Sequence, residues 1–158
     1  MAIEIERKFL VQDDRWRAQV SRSIAMHQGY LAAEGGHASV RVRLEGDQAR
    51  LNIKAAVIGA ARAEYEYEIP VADAREILKL CVGRLEKTRH HVEIDDLLWE
   101  IDEFHGDNAP LVVAEVELGA IDQIFVRPDW AGKEVTDDRR YYNHHLALHP
   151  YRHWPDAS

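Results

Sequence analysis

Charged residues in this chain recur two apart. Glu4, Glu6 and Lys8 alternate with Ile3, Ile5 and Arg7 ahead of Phe9 and Leu10. Side chains along a strand point to opposite faces in turn, so two carboxylates and an ammonium share one face and Ile3 and Ile5 share the other. The design repeats. Arg41 and Arg43 oppose Val40, Val42 and Leu44; Asn52 and Lys54 oppose Leu51 and Ile53. Arg62, Glu64, Glu66 and Glu68 oppose Tyr65, Tyr67 and Ile69. Lys87 and Arg89, Glu100 and Asp102, and Glu115 and Glu117 are three further pairs at the same spacing. Acidic and basic pairs thus fall on different strands, as a site for both a metal and a phosphate would need. A sheet whose polar face meets water gives the same pattern. Periodicity leaves open which face is inside.

These strands need connections and a cover for their apolar face. Residues Gln12 to Arg22 read as a helix, with Asp13 or Asp14 near its N-cap and Trp16 and Val20 at i, i+4 spacing. Gly35-Gly36, Gly46-Asp47 and Asp95-Asp96 read as turns, and Val57 to Ala61 as a flexible loop. Pro70 ends a strand, and Asp73 caps an amphipathic helix carrying Ile77, Leu78, Leu80 and Cys81. Ile121, Ile124 and Phe125 predict another helix after Gly119, stopped by Pro128, and Asn143 to Leu148 predicts a short terminal one. About eight antiparallel strands with a few helices fit an α+β fold, a closed antiparallel β-barrel with helices packed outside. No repeat, low-complexity tract or linker divides the chain.

At 158 residues the chain suits one domain. Cys81 is the only cysteine, which excludes an internal disulfide and suits a reducing cytosol; it reads as a core filler. No apolar run has the length of a signal-peptide core or a membrane span, so the expectation is a cytoplasmic protein without a membrane partner. A net charge of −8 argues against sequence-independent binding to nucleic acid. Converging Lys and Arg can still focus a positive potential on a small polyanion.

The segments EIERKFL, QGYL, VRVR, LNIK, RAEYE, EKTR, VAEVEL and EVTDDRRYYN occur in that order between Met1 and about Leu148. Together they resemble the triphosphate tunnel metalloenzymes of the CYTH superfamily, and most closely its short bacterial members, which hydrolyse inorganic tripolyphosphate. The resemblance implies a tunnel domain over residues 1–148 and leaves 149–158 as a C-terminal tail. It also implies metal-dependent hydrolysis of tripolyphosphate to pyrophosphate and phosphate.

A triphosphate presents closely spaced anionic oxygens. Lys8, Arg41, Arg43, Lys54, Lys87 and Arg89 suit their neutralisation, with Arg62 and Arg140 as weaker candidates. Carboxylates would repel such a substrate unless a divalent cation lay between. Glu4, Glu6, Glu115 and Glu117 could hold Mg2+ or Mn2+ through hard oxygen ligands, and the resemblance implies that role for the opening glutamates and the late pair. Glu4, Glu6, Lys87 and Glu117 are the expected catalytic set, with Glu64, Glu66, Glu100 and Asp102 orienting basic side chains or a water. One metal would hold the phosphates and a second would activate water.

Other chemistries find little support. The nine histidines include the adjacent pairs His90-His91 and His144-His145, but neither HExxH nor CxxC occurs, so they read as solvated. No P-loop is present, and the four tryptophans read as packing residues. Hydrolysis of a nucleoside or thiamine triphosphate, a class IV-type adenylate cyclase reaction, and a non-catalytic polyphosphate-binding module remain as alternatives on the same fold. A second copy of the chain is the one macromolecular partner this reading leaves open.

Overall fold

The structure, a computed structural model, describes residues 3–155; Met1 and Ala2 of the opening motif and residues 156–158 of the tail lie outside the described residues. Among the described residues nine strands form one sheet: β1 (Ile3–Val11), β2 (Val20–Tyr30), β3 (Ala38–Glu45), β4 (Gln48–Ala55), β5 (Ala61–Glu68), β6 (Gly83–Ile94), β7 (Leu97–Phe104), β8 (Val112–Glu117) and β9 (Ala131–Glu134). Their order is β5-β4-β3-β2-β6-β7-β8-β1-β9, and β5 also pairs with β1. That antiparallel pairing, with Glu4 opposite Arg62, closes the first eight into a barrel. β9 is an extra strand on β1. Closure removes the two sheet edges that would otherwise expose unpaired backbone.

The barrel is apolar outside and charged inside, so its hydrophobic cores lie between the wall and what covers it. Helix α1 (Val71–Leu78) sets Ala74 and Leu78 against Val42 and Ala49. A larger core on β1, β6, β7 and β8 gathers Phe9, Val92, Trp99, Ile101 and Val116 under Trp16 and Trp130. The third core places Leu146 of helix α2 (Asn143–Leu148) on Leu85, Phe104 and Val113, with Tyr151 and Trp154 beside it. Full burial of one such side chain stabilises by roughly 1.5–3 kcal/mol, enough to hold short helices that would not persist alone. At Gly83 the approach of α2 is so close that a Cβ would lie 2.9 Å from Ala147 O.

Turn residues behave as their chemistry dictates. Asp95 and Asp96 both take positive φ between β6 and β7, giving the mirror-image hairpin turn that matches strand twist, and Gly46 has φ 60° between β3 and β4.

Four local expectations need correction. Residues Gln12 to Arg22 do not form a helix: a 3-10 turn at Arg15–Gln19 buries Trp16, and β2 already begins at Val20, paired with Val92. The long β2–β6 ladder outweighs a helical pattern about three turns long. The segment after Gly119 is not helical either. Phe125 is drawn into edge contacts with Phe9 and Trp99, while Ile121 and Ile124 stay exposed. Helix α1 starts at Val71 with Pro70 at its N-cap, and Asp73 instead places its charge in the first turn. Cys81 lies past the end of α1, its sulfur 2.7 Å from where a Cβ on Gly29 would stand.

Candidate active site

Most of the charged pairs of the sequence project into the barrel lumen, because closure leaves one parity of every strand inside. Lys8, Arg41, Arg43, Lys54, Lys87 and Arg89 are all buried and all line one cavity of about 270 Å³. Arg62 and Arg139 complete a wall of eight cations, against the carboxylates of Glu6, Glu34 and Glu115. The protein is acidic overall, yet this wall is cationic. Such a concave surface focuses positive potential on an anion that enters it.

The lumen divides by charge along its strands. On one side β6 and β7 bring Lys87, Arg89 and Asp102 together: Asp102 accepts from Lys87 Nζ at 2.6 Å and from Arg89 Nε and Nη2 at 2.8 and 2.9 Å. Arg89 also reaches Glu100 at 3.2 Å. Asp102 is fully buried, which alone would raise its pKa, but Arg89 and then Lys87 hold it below the usual carboxylate range. Lys87 moves the opposite way, down to about 7, because burial, with the nearby Arg89 and Arg43 guanidiniums, outweighs Asp102 and Glu115. Asp102 is thus mainly the partner of Arg89, and Lys87 is a cation short of counter-charge. Arg43 shows the same crowding: burial, Arg41 and Arg89 push it down to about 10. It remains charged at neutral pH.

On the other side, β1 and β8 place Glu6 opposite Glu117 and Lys8 opposite Glu115. Lys8 Nζ is 3.5 Å from Glu115, and Lys54 Nζ is 2.8 Å from Glu4 and 3.3 Å from Glu64. Burial, and then the Glu115 and Glu4 charges set against Lys54 and Lys8, push Glu6 well above the ordinary carboxyl range. Glu115 is buried too, yet Lys8, Arg89 and Lys87 keep it ionised and well below that range. Burial also raises Glu117, helped by Glu4, Glu64 and Glu100. For Lys54, Glu6 and Glu4 more than offset burial and raise it. Carboxylates that press on one another in a buried wall raise one another's pKa, as Glu6 shows.

Not every sequence candidate faces the cavity. Arg140 lies half exposed on the outer surface, held to Asp138 and lying over the Trp154 ring, and Arg139 takes the position on the cavity wall. Glu117 sits at the exposed end of β8, and Glu66 is an exposed partner of Arg50. Asn52 bridges Glu64 and Glu66 from within.

Several residues that line or support the cavity had no place among the sequence candidates. Gln28 is fully buried, accepts from Arg43 Nε at 3.1 Å and donates to Asn143 Oδ1 at 3.0 Å. Tyr30 stacks on His144 with ring centroids 4.4 Å apart. Tyr142 lies over both Lys8 and Arg62, and its hydroxyl donates to Thr136 O and accepts from Gly59 N. Gln28 and Tyr30 share the inward parity of QGYL, which was the available signal. Tyr142 and Asn143 reach the lumen from a connecting segment and had no periodicity to reveal them.

Comparison with known proteins agrees with this geometry. Residues 2–143 match the CYTH domain. An inorganic triphosphatase of Acetivibrio thermocellus is 40% identical over 158 residues, covering 99% of this chain and 100% of that protein. One of Nitrosomonas europaea is 38% identical, covering 92% and 97%. A crystal structure of an inorganic triphosphatase superposes with a TM-score of 0.68 at 37% identity, over 92% of this chain and 97% of that one.

Proposed function

This chain belongs to the CYTH domain family, and on that premise we propose that it hydrolyses inorganic tripolyphosphate to pyrophosphate and phosphate inside its barrel. The observation that carries the proposal is the cavity wall, where buried cations from β1, β3, β4 and β6 face the carboxylates of β1 and β8. The inorganic triphosphatases to which the chain is similar over nearly its full length support the choice of substrate.

Arg41, Arg43, Lys87 and Arg89 receive the phosphoryl oxygens, the guanidiniums as forks and Lys87 as a point charge. Lys8, Lys54 and Arg62 extend this surface towards the glutamates. Asp102 and Gln28 hold Arg89 and Arg43 in place before substrate arrives, so little is lost to reorganisation. Glu100, Glu64 and Glu66 hold Arg89, Lys54 and Asn52 in the same supporting way.

Glu4, Glu6, Glu115 and Glu117 would hold a divalent cation, Mg2+ or Mn2+, for which their all-oxygen set is fitted. When bound, the ion supplies charge neutralisation at the phosphates and lowers the pKa of a coordinated water. The reaction joins a water oxygen to a terminal phosphorus and breaks the bridging P–O bond, releasing pyrophosphate and a proton. On this reading the phosphates lie against the cation side of the lumen and the attacking water against the carboxylate side. Glu4, Glu6, Lys87 and Glu117 are the catalytic set of this reading, and the cytoplasm is its setting.

The test is phosphate release from tripolyphosphate, ATP and thiamine triphosphate side by side. A kcat/KM highest for tripolyphosphate supports the proposal. A preference for ATP or thiamine triphosphate overturns the substrate, and binding of all three without turnover overturns hydrolysis.

A further inference from the structure

One cluster at the mouth of the cavity, to whose lining Glu34 belongs, is unused by this chemistry. His145 and His149 are one helical turn apart at the end of α2, and Glu34 meets them from the loop between β2 and β3. Glu34 Oε1 is 3.0 Å from His145 Nδ1 and 3.6 Å from His149 Nε2, and the potential ligand atoms of all three lie within 4.8 Å of one another. Ligands about 2.0–2.1 Å from a tetrahedral ion stand roughly 3.3 Å apart, so small side-chain adjustments suffice.

We infer that Glu34, His145 and His149 form a second metal site, selective for Zn2+ or a similar nitrogen-seeking transition ion and separate from the hard-cation site of the lumen. Two imidazoles and one carboxylate fill three positions of a tetrahedron and leave the fourth to water or another ligand. Imidazole nitrogen favours Zn2+, Ni2+ or Cu2+ over Mg2+, whereas the glutamates of β1 and β8 offer oxygen alone. His149 is 61% exposed, which gives the ion an entry path, and Glu34 and His145 are half-buried, which limits their motion. Trp154 Nε1 donates to the His149 carbonyl at 2.8 Å, fixing the backbone at that ligand.

The site would tie together two walls of the cavity. The β2–β3 loop contributes Ala33, Glu34, Gly35 and Gly36 to its lining, and α2 contributes Asn143 and His144. An ion bridging Glu34 to α2 pins the loop to the helix at the cavity mouth. The expectation is slower exchange of loop amides when the ion is bound.

Zinc titration calorimetry on the full chain, in excess Mg2+ to occupy the lumen, tests the inference. We expect about one equivalent bound to the wild type, at least tenfold weaker binding in His149→Ala and in Glu34→Gln, and zinc-dependent protection of the β2–β3 loop from hydrogen exchange in the wild type alone. His149→Ala leaves zinc-free turnover unchanged, since His149 does not line the cavity. Equal zinc affinity in wild type and both variants overturns the site. Because binding is read without turnover, this result stands apart from any failure of the triphosphatase proposal.

Discussion

Lys87 Nζ donates to Asn143 Oδ1 at 2.8 Å, joining a fully buried cation of the barrel wall to the first residue of helix α2. The same Asn143 oxygen accepts from Gln28, which in turn holds Arg43. One helix terminus therefore sets two cations, and α2 itself rests on Gly83 with no room for a side chain.

Asn143→Ala removes this acceptor. A hydrogen bond to a charged group is worth about 1.5–3 kcal/mol, so kcat/KM for tripolyphosphate should fall roughly ten- to hundredfold. Gly83→Ala should show a similar loss without touching the lumen, because its Cβ forces α2 away from β6. Steady-state kinetics on both variants checks this; full activity in Gly83→Ala removes α2 from the account.

Asp102→Ala leaves Lys87 and Arg89 buried without their shared carboxylate. Breaking a buried ion pair from one side costs about 3–5 kcal/mol. In a chain of this size that corresponds to a fall in Tm of roughly 6–20 °C, read by thermal denaturation. An unchanged Tm contradicts the pairing.

Much of this site is visible in the sequence, for a definite reason. Period-two alternation puts Arg41 with Arg43 on one strand face and Lys87 with Arg89 on another, and the structure keeps both pairs together on the cavity wall. Which face points inward depends on the pairing of β5 with β1, and no local pattern encodes that closure. The expected helices at Gln12 to Arg22 and after Gly119 failed because tertiary partners, the β6 ladder and the Phe9–Trp99 cluster, claimed those residues. Arg139 and Arg140 are neighbours of equal charge. Only the turn geometry, with Arg140 held on Asp138, separates wall from surface.

Lys87 should set the alkaline limb of activity. Its pKa, depressed to about 7, means that the free protein loses this cation as pH rises through neutrality. The expected kcat/KM for tripolyphosphate declines above about pH 7, and Lys87→Arg, always charged, loses that limb. The sign for stability is opposite. Between pH 7 and the ordinary lysine value of 10.5 the unfolded chain holds a proton that the folded one lacks, so this group's contribution to stability rises with pH across that window. Identical pH profiles for wild type and Lys87→Arg would remove Lys87 from the reaction.

Glu6→Gln keeps the shape of a lumen carboxyl and removes its charge. Glu6 titrates well above an ordinary glutamate, so its contribution to stability is present at low pH and is lost as pH rises through its folded value. The glutamine variant should therefore be at least as stable as the wild type at neutral pH in EDTA, yet lose kcat by about a hundredfold with Mg2+ present. Loss of fold in place of loss of turnover would reassign Glu6 to structure.

The most direct measurement is the rate of phosphate release from tripolyphosphate by the purified protein with Mg2+, with Mn2+ and with EDTA. Turnover should require the divalent cation and disappear in EDTA. Equal rates in EDTA, or no release under any condition, would contradict it.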